Sequence, residues 1–460
     1  MRLSVVGLGR VGLCLSSCFA SKGHKVIGVD VDENKVEMVN QRKSPIFEPG
    51  LQDLLAKVVR DGSLRCVTQT EKAVIGSDIT FVSVGTPSLR SGGTDLRFVR
   101  AAAKDIGRAL REKSGYHLVV ITSTVTPGTT ESIVQPIVEE HSGKRLCEHL
   151  GFCMNPEFLR EGTAVHDVFH PHLVVIGECD RRSGDQLERF YQAFFDKKIP
   201  LMRVNPKTAE LIKYANNAFL ATKISFVNTI ANICERIPDA DVISVAKAIG
   251  IDPRIGPHFM NAGAGFGGSC LPKDLRALAA FAKRIGYRET LLKAVSEVNE
   301  NQCRRVYELA RRNLRTLKDK RIALLGLAFK PGTDETRDAP SIKLIRWFKN
   351  AGSKIRVYDP AAMKNVMRIY PEISYAASAT KCLDGVDCAI LLTEWEEFRK
   401  IKPEEFLSRM RTHVLIDARR IYDSVQYSKN MHFVAIGLGR TKTRDKSREC
   451  SRRKITTRVK

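Results

Sequence analysis

The segment Leu3-Ser4-Val5-Val6-Gly7-Leu8-Gly9-Arg10-Val11-Gly12 constrains this chain most, because its three glycines lie between an apolar run and a helix-like stretch. Leu3 to Val6 reads as a strand, Val11 to Ala20 as a helix and Val26 to Val29 as the next strand. In that setting each glycine has a physical task. Gly7 permits a tight turn, Gly9 lets the backbone approach a pyrophosphate, and Gly12 lets the helix pack closely on the sheet, with the helix N-terminus facing the phosphates. Asp30 ends the second strand, where a carboxylate accepts hydrogen bonds from an adenosine ribose and repels a 2′-phosphate, which favours NAD over NADP. The competing reading is a plain glycine turn beside a solvated Asp.

The alternation continues through Ile79 to Val84, Leu118 to Ile121 and Gly151 to Met154, so a doubly wound parallel sheet is expected. Between Lys207 and Ile237 there is no Gly and no Pro, which predicts one helix about 45 Å long that bridges two domains and offers a dimerisation face. Two ordinary helices broken near Ser225 are the alternative. From Lys320 the opening grammar returns, with strands at Arg321 to Leu325, Ile355 to Asp359, Cys388 to Leu392 and Val414 to Ile416 and a helix from Ser341 to Asn350. The expected class is α/β, two Rossmann-like doubly wound domains joined by a long central helix and a helical middle domain. The expected boundaries are 1–200, 201–300 and 301–440, with a basic disordered tail over 441–460.

At 460 residues, with 43% hydrophobic and 27% charged residues, the chain has ample material for packed cores. The net charge of +24 raises the question of nucleic acid. Ten Lys and Arg from Arg440 to Lys460 face only Asp445 and Glu449, and no recognition helix, zinc finger or aromatic RNA motif accompanies the remaining excess. Nucleic acid is therefore not the expected partner; a surface that attracts phosphorylated ligands is. No apolar stretch reaches the roughly 20 residues of a membrane span and the start lacks a signal-peptide cleavage region, so a cytoplasmic protein without a membrane partner is expected. The 12 cysteines include no C-x-x-C pair, which fits reduced thiols.

Gly263-Ala264-Gly265-Phe266-Gly267-Gly268-Ser269-Cys270-Leu271-Pro272-Lys273-Asp274 carries the chemistry. Pro272 suits the first turn of a helix, which places Cys270 at its N-terminus, where the dipole lowers a thiol pKa. Asp274 lies one turn later on the same side. Lys213 and Asn217 share a face of the long helix, a cation and an amide donor suited to an oxyanion; a solvated Lys beside a surface Asn fits the same spacing. Glu157 and Glu161 lie in a loop-like stretch after a strand, and either could act as base or position a water. Ser123-Thr124 ends another strand at the ligand crevice of an open sheet. His166, His170 and His172 lack a completing carboxylate or thiol, so no metal is expected.

From Met1 to about Arg440 the sequence resembles the UDP-glucose/GDP-mannose dehydrogenase family, through the glycine fingerprint, Ser83-Val84-Gly85-Thr86-Pro87, Asn155-Pro156-Glu157-Phe158-Leu159 and Gly265-Phe266-Gly267-Gly268-Ser269-Cys270. The resemblance implies oxidation of a sugar C6 alcohol by two NAD molecules without release of free aldehyde. It makes Cys270 the nucleophile that forms a thiohemiacetal and then a thioester. It assigns the oxyanion to Lys213 and Asn217, the C6 proton to Asp274 and a water held by Thr124, thioester hydrolysis to Glu157, and a place near the nicotinamide to Glu161. For the cofactor it implies Gly7, Gly9, Val11, Gly12, Asp30, Lys35, Thr86 and Arg337. For the sugar nucleotide it implies the C-terminal domain and Glu157, Phe158, Leu159, Lys213, Asn217, Phe259, Gly265, Phe266, Phe329, Lys330 and Arg419. Arg254 is implied to reach a partner subunit's substrate in a homodimer built on the long helix.

Within the family, Arg254-Ile255-Gly256 looks like the UDP-glucose branch, whereas Cys270-Leu271-Pro272-Lys273-Asp274 suits the GDP-mannose branch equally. Ser269 stands where the N-acetylmannosamine branch has His. Asn261 stands where some UDP-glucose members carry Lys, which removes one anticipated substrate contact.

Overall fold

A short run without charge, such as Leu3-Ser4-Val5-Val6, suits a strand covered on both faces; β1 (Arg2–Val6) is buried from Leu3 onward, with the Ser4 hydroxyl bonded to Ser77 and Thr80. The computed structural model describes residues 1–439; the tail expected over 441–460 lies outside the described residues. β1 is followed by β2 (Lys25–Val29), β3 (Leu64–Val67), β4 (Ile79–Val82), β5 (His117–Ile121), β6 (Leu150–Met154), β7 (Val174–Glu178) and β8 (Leu201–Val204). They form one eight-stranded sheet in the order β3-β2-β1-β4-β5-β6-β7-β8. The strand order reverses between β1 and β4, and this is where an open α/β sheet leaves a crevice at its carboxyl ends.

One expectation needs correction: this sheet is mixed. β7 runs antiparallel to β6, with Cys153 opposite Glu178 and Met154 opposite Gly177. The connection that holds the short helix Ala164–Phe169 begins and ends at the same end of the sheet, so a parallel crossover is not made there.

The second sheet comprises β9 (Arg321–Leu325), β10 (Lys354–Tyr358), β11 (Ser374–Tyr375), β12 (Cys388–Leu391), β13 (Val414–Asp417) and β14 (His432–Ala435). Its order, β11-β10-β9-β12-β13-β14, repeats the pattern of the first sheet, and every pairing is parallel. The fold is thus α/β, two Rossmann-like sheets with a helical region between them.

The helix Pro206–Cys234 is continuous over 29 residues. Asn205 caps it by accepting from Thr208 N at 2.8 Å, and Pro206 occupies its first turn, where no backbone donor is lost. No break occurs at Ser225, because its hydroxyl donates to Val295 O at 3.0 Å on the neighbouring helix Leu291–Leu314. Val227, Ala231 and Cys234 enter the same core as β9, β12 and β13, while Ala218 and Ala221 pack with Phe266 and Leu275. The long helix thereby places its polar N-terminal half against the crevice and its apolar C-terminal half against the second sheet.

Candidate active site

The loop between β1 and the helix Arg10–Ser21 is built for close approach. Gly7 has φ +98°, and a Cβ there would lie 2.6 Å from Ser83 O. A Cβ on Gly12 would lie 1.8 Å from Gly7 O, so only glycine lets the helix start so near its own loop. A Cβ on Gly9 would meet nothing within 4 Å, because that residue faces the open crevice. Asp30 accepts from Leu8 N at 2.9 Å and Asp32 N at 3.0 Å, which fixes its carboxylate at the mouth with lone pairs left for ribose hydroxyls. Lys35 Nζ stands 3.6 Å from Asp30. Glycine loop, helix N-terminus and carboxylate together fit a dinucleotide.

The second sheet carries the same turn with different contents. Asp359 follows β10 as Asp30 follows β2, yet it is fully buried, accepting from Leu327 N at 2.7 Å, Ala328 N at 3.0 Å and the Trp395 indole at 3.1 Å. Its lone pairs serve the loop itself, so this turn offers no free carboxylate to a ribose.

The dinucleotide crevice encloses about 630 Å³, and Cys270, Asp274, Glu157, Thr124, Thr86 and Arg337 line it together with Gly7 and Gly9. Cys270 is the N-cap of the helix Leu271–Arg284, and its carbonyl accepts from Asp274 N at 2.9 Å. Gly268, at φ +87°, brings the chain under the Phe329 ring, where a Cβ would sit 2.8 Å from the ring, and its N–H donates to Arg337 O at 2.8 Å. Phe329 and Arg337 of the C-terminal domain therefore roof the cysteine loop.

Lys213 and Asn217 are both buried, so the solvated-surface reading of this pair is set aside. Lys213 Nζ lies 3.0 Å from Glu157 Oε1 and donates to Glu157 O at 2.5 Å. Asn217 donates to Asp274 Oδ2 at 2.7 Å, and Lys273 pairs with the other oxygen of Asp274 at 2.5 Å. Burial opposes the charge on Lys213, but Glu157, Cys270 and Asp274 around it hold its pKa above the ordinary value.

The thiol itself corrects an expectation. Its side chain opens to the crevice, yet it lies deep among protein atoms, and loss of bulk water pushes its pKa up, followed by Glu157; Lys213 and the Ser269 hydroxyl pull the other way. The thiol's place at a helix N-terminus predicts a lowered pKa; burial and two nearby carboxylates, Glu157 and Asp274, raise it instead.

Glu161 accepts from Ser269 Oγ at 2.6 Å and so touches the cysteine's neighbour. Phe158, Leu159 and Phe259 line a second cavity of about 610 Å³ that shares Glu157 with the first. Lys213 Nζ sits 5.5 Å from the centre of the Phe158 ring. Gly265 (φ +100°) and Phe266 are held by Asn299, which accepts from Phe266 N at 2.7 Å and donates to Phe266 O at 3.0 Å. Arg419 donates to Leu392 O at 2.6 Å and Phe329 O at 3.3 Å, beside Gly263. Lys330 is pushed below its ordinary pKa by burial, with Glu161 and Glu48 opposing.

Arg254 is not brought to either cavity; it is exposed and paired with Asp252 at 2.6 Å. His166 stacks on His170, His172 lies tilted against Phe158, and among the described residues no group of three His, Cys, Asp or Glu is placed to hold a metal. Sequence reasoning missed Lys273, Asn299 and Arg10. Lys273 was within reach, since it adjoins Asp274 in the quoted motif; Asn299 bonds across 33 residues, and nothing local marks it.

Known proteins resemble this chain over most of its length. Residues 1–195 match the NAD binding domain of the UDP-glucose/GDP-mannose dehydrogenase family, 207–301 its central domain and 323–424 its UDP binding domain. A UDP-glucose 6-dehydrogenase of Haloferax volcanii is 43% identical over 423 residues, covering 92% of this chain and 97% of the relative. A GDP-mannose 6-dehydrogenase of Pseudomonas aeruginosa is 40% identical over 372 residues, covering 78% and 81%. The solved UDP-glucose dehydrogenase of Pyrobaculum islandicum superposes with a TM-score of 0.89 at 37% identity, covering 95% of this chain and 97% of that one. The dinucleotide that the glycine crevice fits is accordingly NAD. No helix among the described residues is long and apolar enough to cross a membrane.

Proposed function

This chain belongs to the UDP-glucose/GDP-mannose dehydrogenase family, and from that premise we propose that it oxidises UDP-glucose to UDP-glucuronate through a covalent intermediate on Cys270. The observation that carries this reading is a single crevice lined by both the Gly7–Gly9 loop and the Cys270 side chain. Bound NAD would accept one hydride in each oxidation, with two molecules used in succession.

In the first oxidation the C6 hydroxyl loses its proton to Asp274 through a water held by Thr124. Lys213 and Asn217 stabilise the developing alkoxide, a contribution of about 3 kcal/mol per donor in a site of this kind. Once C6 has given up its first hydride it is an aldehyde carbon; the Cys270 sulfur adds to it as the C=O π bond opens and the thiol proton passes to the oxygen, giving a thiohemiacetal whose oxygen is held by the same two side chains. Loss of the second hydride leaves the thioester. Water, activated beside Glu157, attacks it; the C–S bond breaks, the carboxylate leaves and the thiol is restored.

Gly7, Gly9, Val11, Gly12, Asp30, Lys35, Thr86, Glu161 and Arg337 are assigned to NAD. Phe158, Leu159, Phe259, Gly265, Phe266, Phe329, Lys330 and Arg419 are assigned to the sugar nucleotide, with Arg254 supplied to a second subunit's site. A cytoplasmic location suits the eleven unpaired cysteines of the described residues.

The purified chain should form two NADH per UDP-glucose consumed, and Cys270→Ser should abolish formation of the acid. One NADH per substrate, or full conversion by the serine variant, would defeat the thioester route. The relatives also include GDP-mannose enzymes, so turnover with GDP-mannose exceeding that with UDP-glucose would reassign the substrate while leaving the chemistry intact.

A further inference from the structure

Arg10, like Leu8, belongs to the glycine loop without an assigned cofactor contact, and its side chain borders the dinucleotide crevice. Its guanidinium reaches Glu48 Oε2 at 2.9 Å, Asp334 Oδ1 at 3.4 Å and Glu161 Oε2 at 3.7 Å, and donates to Phe47 O at 2.5 Å. These partners come from three separate stretches of chain. Glu48 has a fully buried side chain and also accepts from Gly162 N at 3.0 Å and Ala164 N at 2.8 Å, so it belongs firmly to the NAD domain. Asp334 belongs to the C-terminal domain, where Asn365 donates to its Oδ2 at 3.1 Å. Glu161 joins the two halves, accepting from Ser269 Oγ at 2.6 Å and Thr333 Oγ1 at 3.4 Å. The backbones meet at the same place, since a Cβ on Gly162 would lie 2.9 Å from Gly332 O.

The Arg10 side chain is only 18% exposed and that of Asp334 29%, so solvent screens their attraction less than at an open surface. A planar guanidinium can serve several carboxylates at once, which an ammonium does poorly. Beyond Asp334 the same C-terminal segment supplies Arg337 to the crevice.

We propose that Arg10 is a positioning residue that latches the C-terminal domain over the dinucleotide crevice through Asp334 and Glu161, so that NAD and the sugar nucleotide bind to one closed unit. The proposal rests on the assignment of the sugar nucleotide to the C-terminal domain. It makes the glycine loop a part of the substrate site without any contact to substrate.

The test uses the full chain and two mild variants. Asp334→Ala removes the far partner and spares buried Glu48; Arg10→Lys keeps the charge and loses the fork. In either, amides of residues 331–338 should exchange with deuterium about three- to tenfold faster, and KM for UDP-glucose should rise by a similar factor with kcat altered less than about twofold. The double variant should be no worse than the poorer single one. Unchanged exchange at 331–338, or single-variant losses that multiply in the double, would overturn the latch. A wild-type protein inactive on UDP-glucose would defeat the proposed function instead, and the exchange comparison would still decide the latch.

Discussion

Cys270 has to ionise to react, and its surroundings oppose one another. Burial and Glu157 raise its pKa while Lys213 lowers it. Because the net shift is upward, the thiolate fraction near neutrality is small and grows with pH, so kcat/KM with UDP-glucose should climb on the alkaline side. Removing the Lys213 ammonium takes away the main opposing charge. Lys213→Met should move that limb to higher pH and lower kcat about 100-fold, since an oxyanion donor is lost as well. A profile whose inflection stays in place would show that Lys213 does not act on the thiol. The motif made the nucleophile and its helix readable from sequence, because Pro272 and the glycines act locally. The direction of its pKa was not readable, since Glu157 lies 113 positions away along the chain and its effect depends on how deeply the crevice is buried.

Among elements, the glycine loop separates folding from binding. Gly12→Ala puts a methyl 1.8 Å from Gly7 O, and overpacking of that kind costs about 1–3 kcal/mol or more, so Tm should fall. Gly9→Ala meets nothing within 4 Å and keeps an ordinary φ of −71°, so its Tm should match the parent. Its methyl nevertheless enters the crevice assigned to NAD, and NAD affinity should drop at least about tenfold by titration calorimetry. Equal loss of Tm in both variants would contradict this division. The strands flanking the loop were readable because Leu3, Val5 and Val26 to Val29 are buried apolar positions bounded by turns. β7 was harder: Val174-Val175-Ile176 reads as a strand, but direction is set by where the preceding connection returns, which apolar patterning does not encode. β11 has two residues, too few to show a period, and β8 is only half-buried.

For the whole molecule, the long helix leaves one stripe uncovered. Phe219, Phe226 and Ile233, each seven residues from the next, are exposed, although the opposite side of the helix packs against Val295 and the core of the second sheet. Residues seven apart lie on nearly the same line of a helix, so these side chains form an apolar row, interrupted between Phe219 and Phe226 by Thr222 and Lys223. A row of that type suits an antiparallel or parallel pairing with a second copy of itself, and a stable pairing of this kind buries about 1,600 Å² in total. Arg254 adds a functional reason: it stands outside both cavities of its own chain and, among the described residues, pairs with Asp252, which leaves it free to serve the proposed neighbouring site. Phe226→Asp should therefore convert the proposed dimer to a monomer in light scattering while leaving the circular dichroism of the fold unchanged. If Arg254 serves the neighbouring site, that monomer should lose turnover, and mixing it with a Cys270→Ser chain should restore none. A fully active monomer would separate the apolar row from catalysis and return Arg254 to the surface.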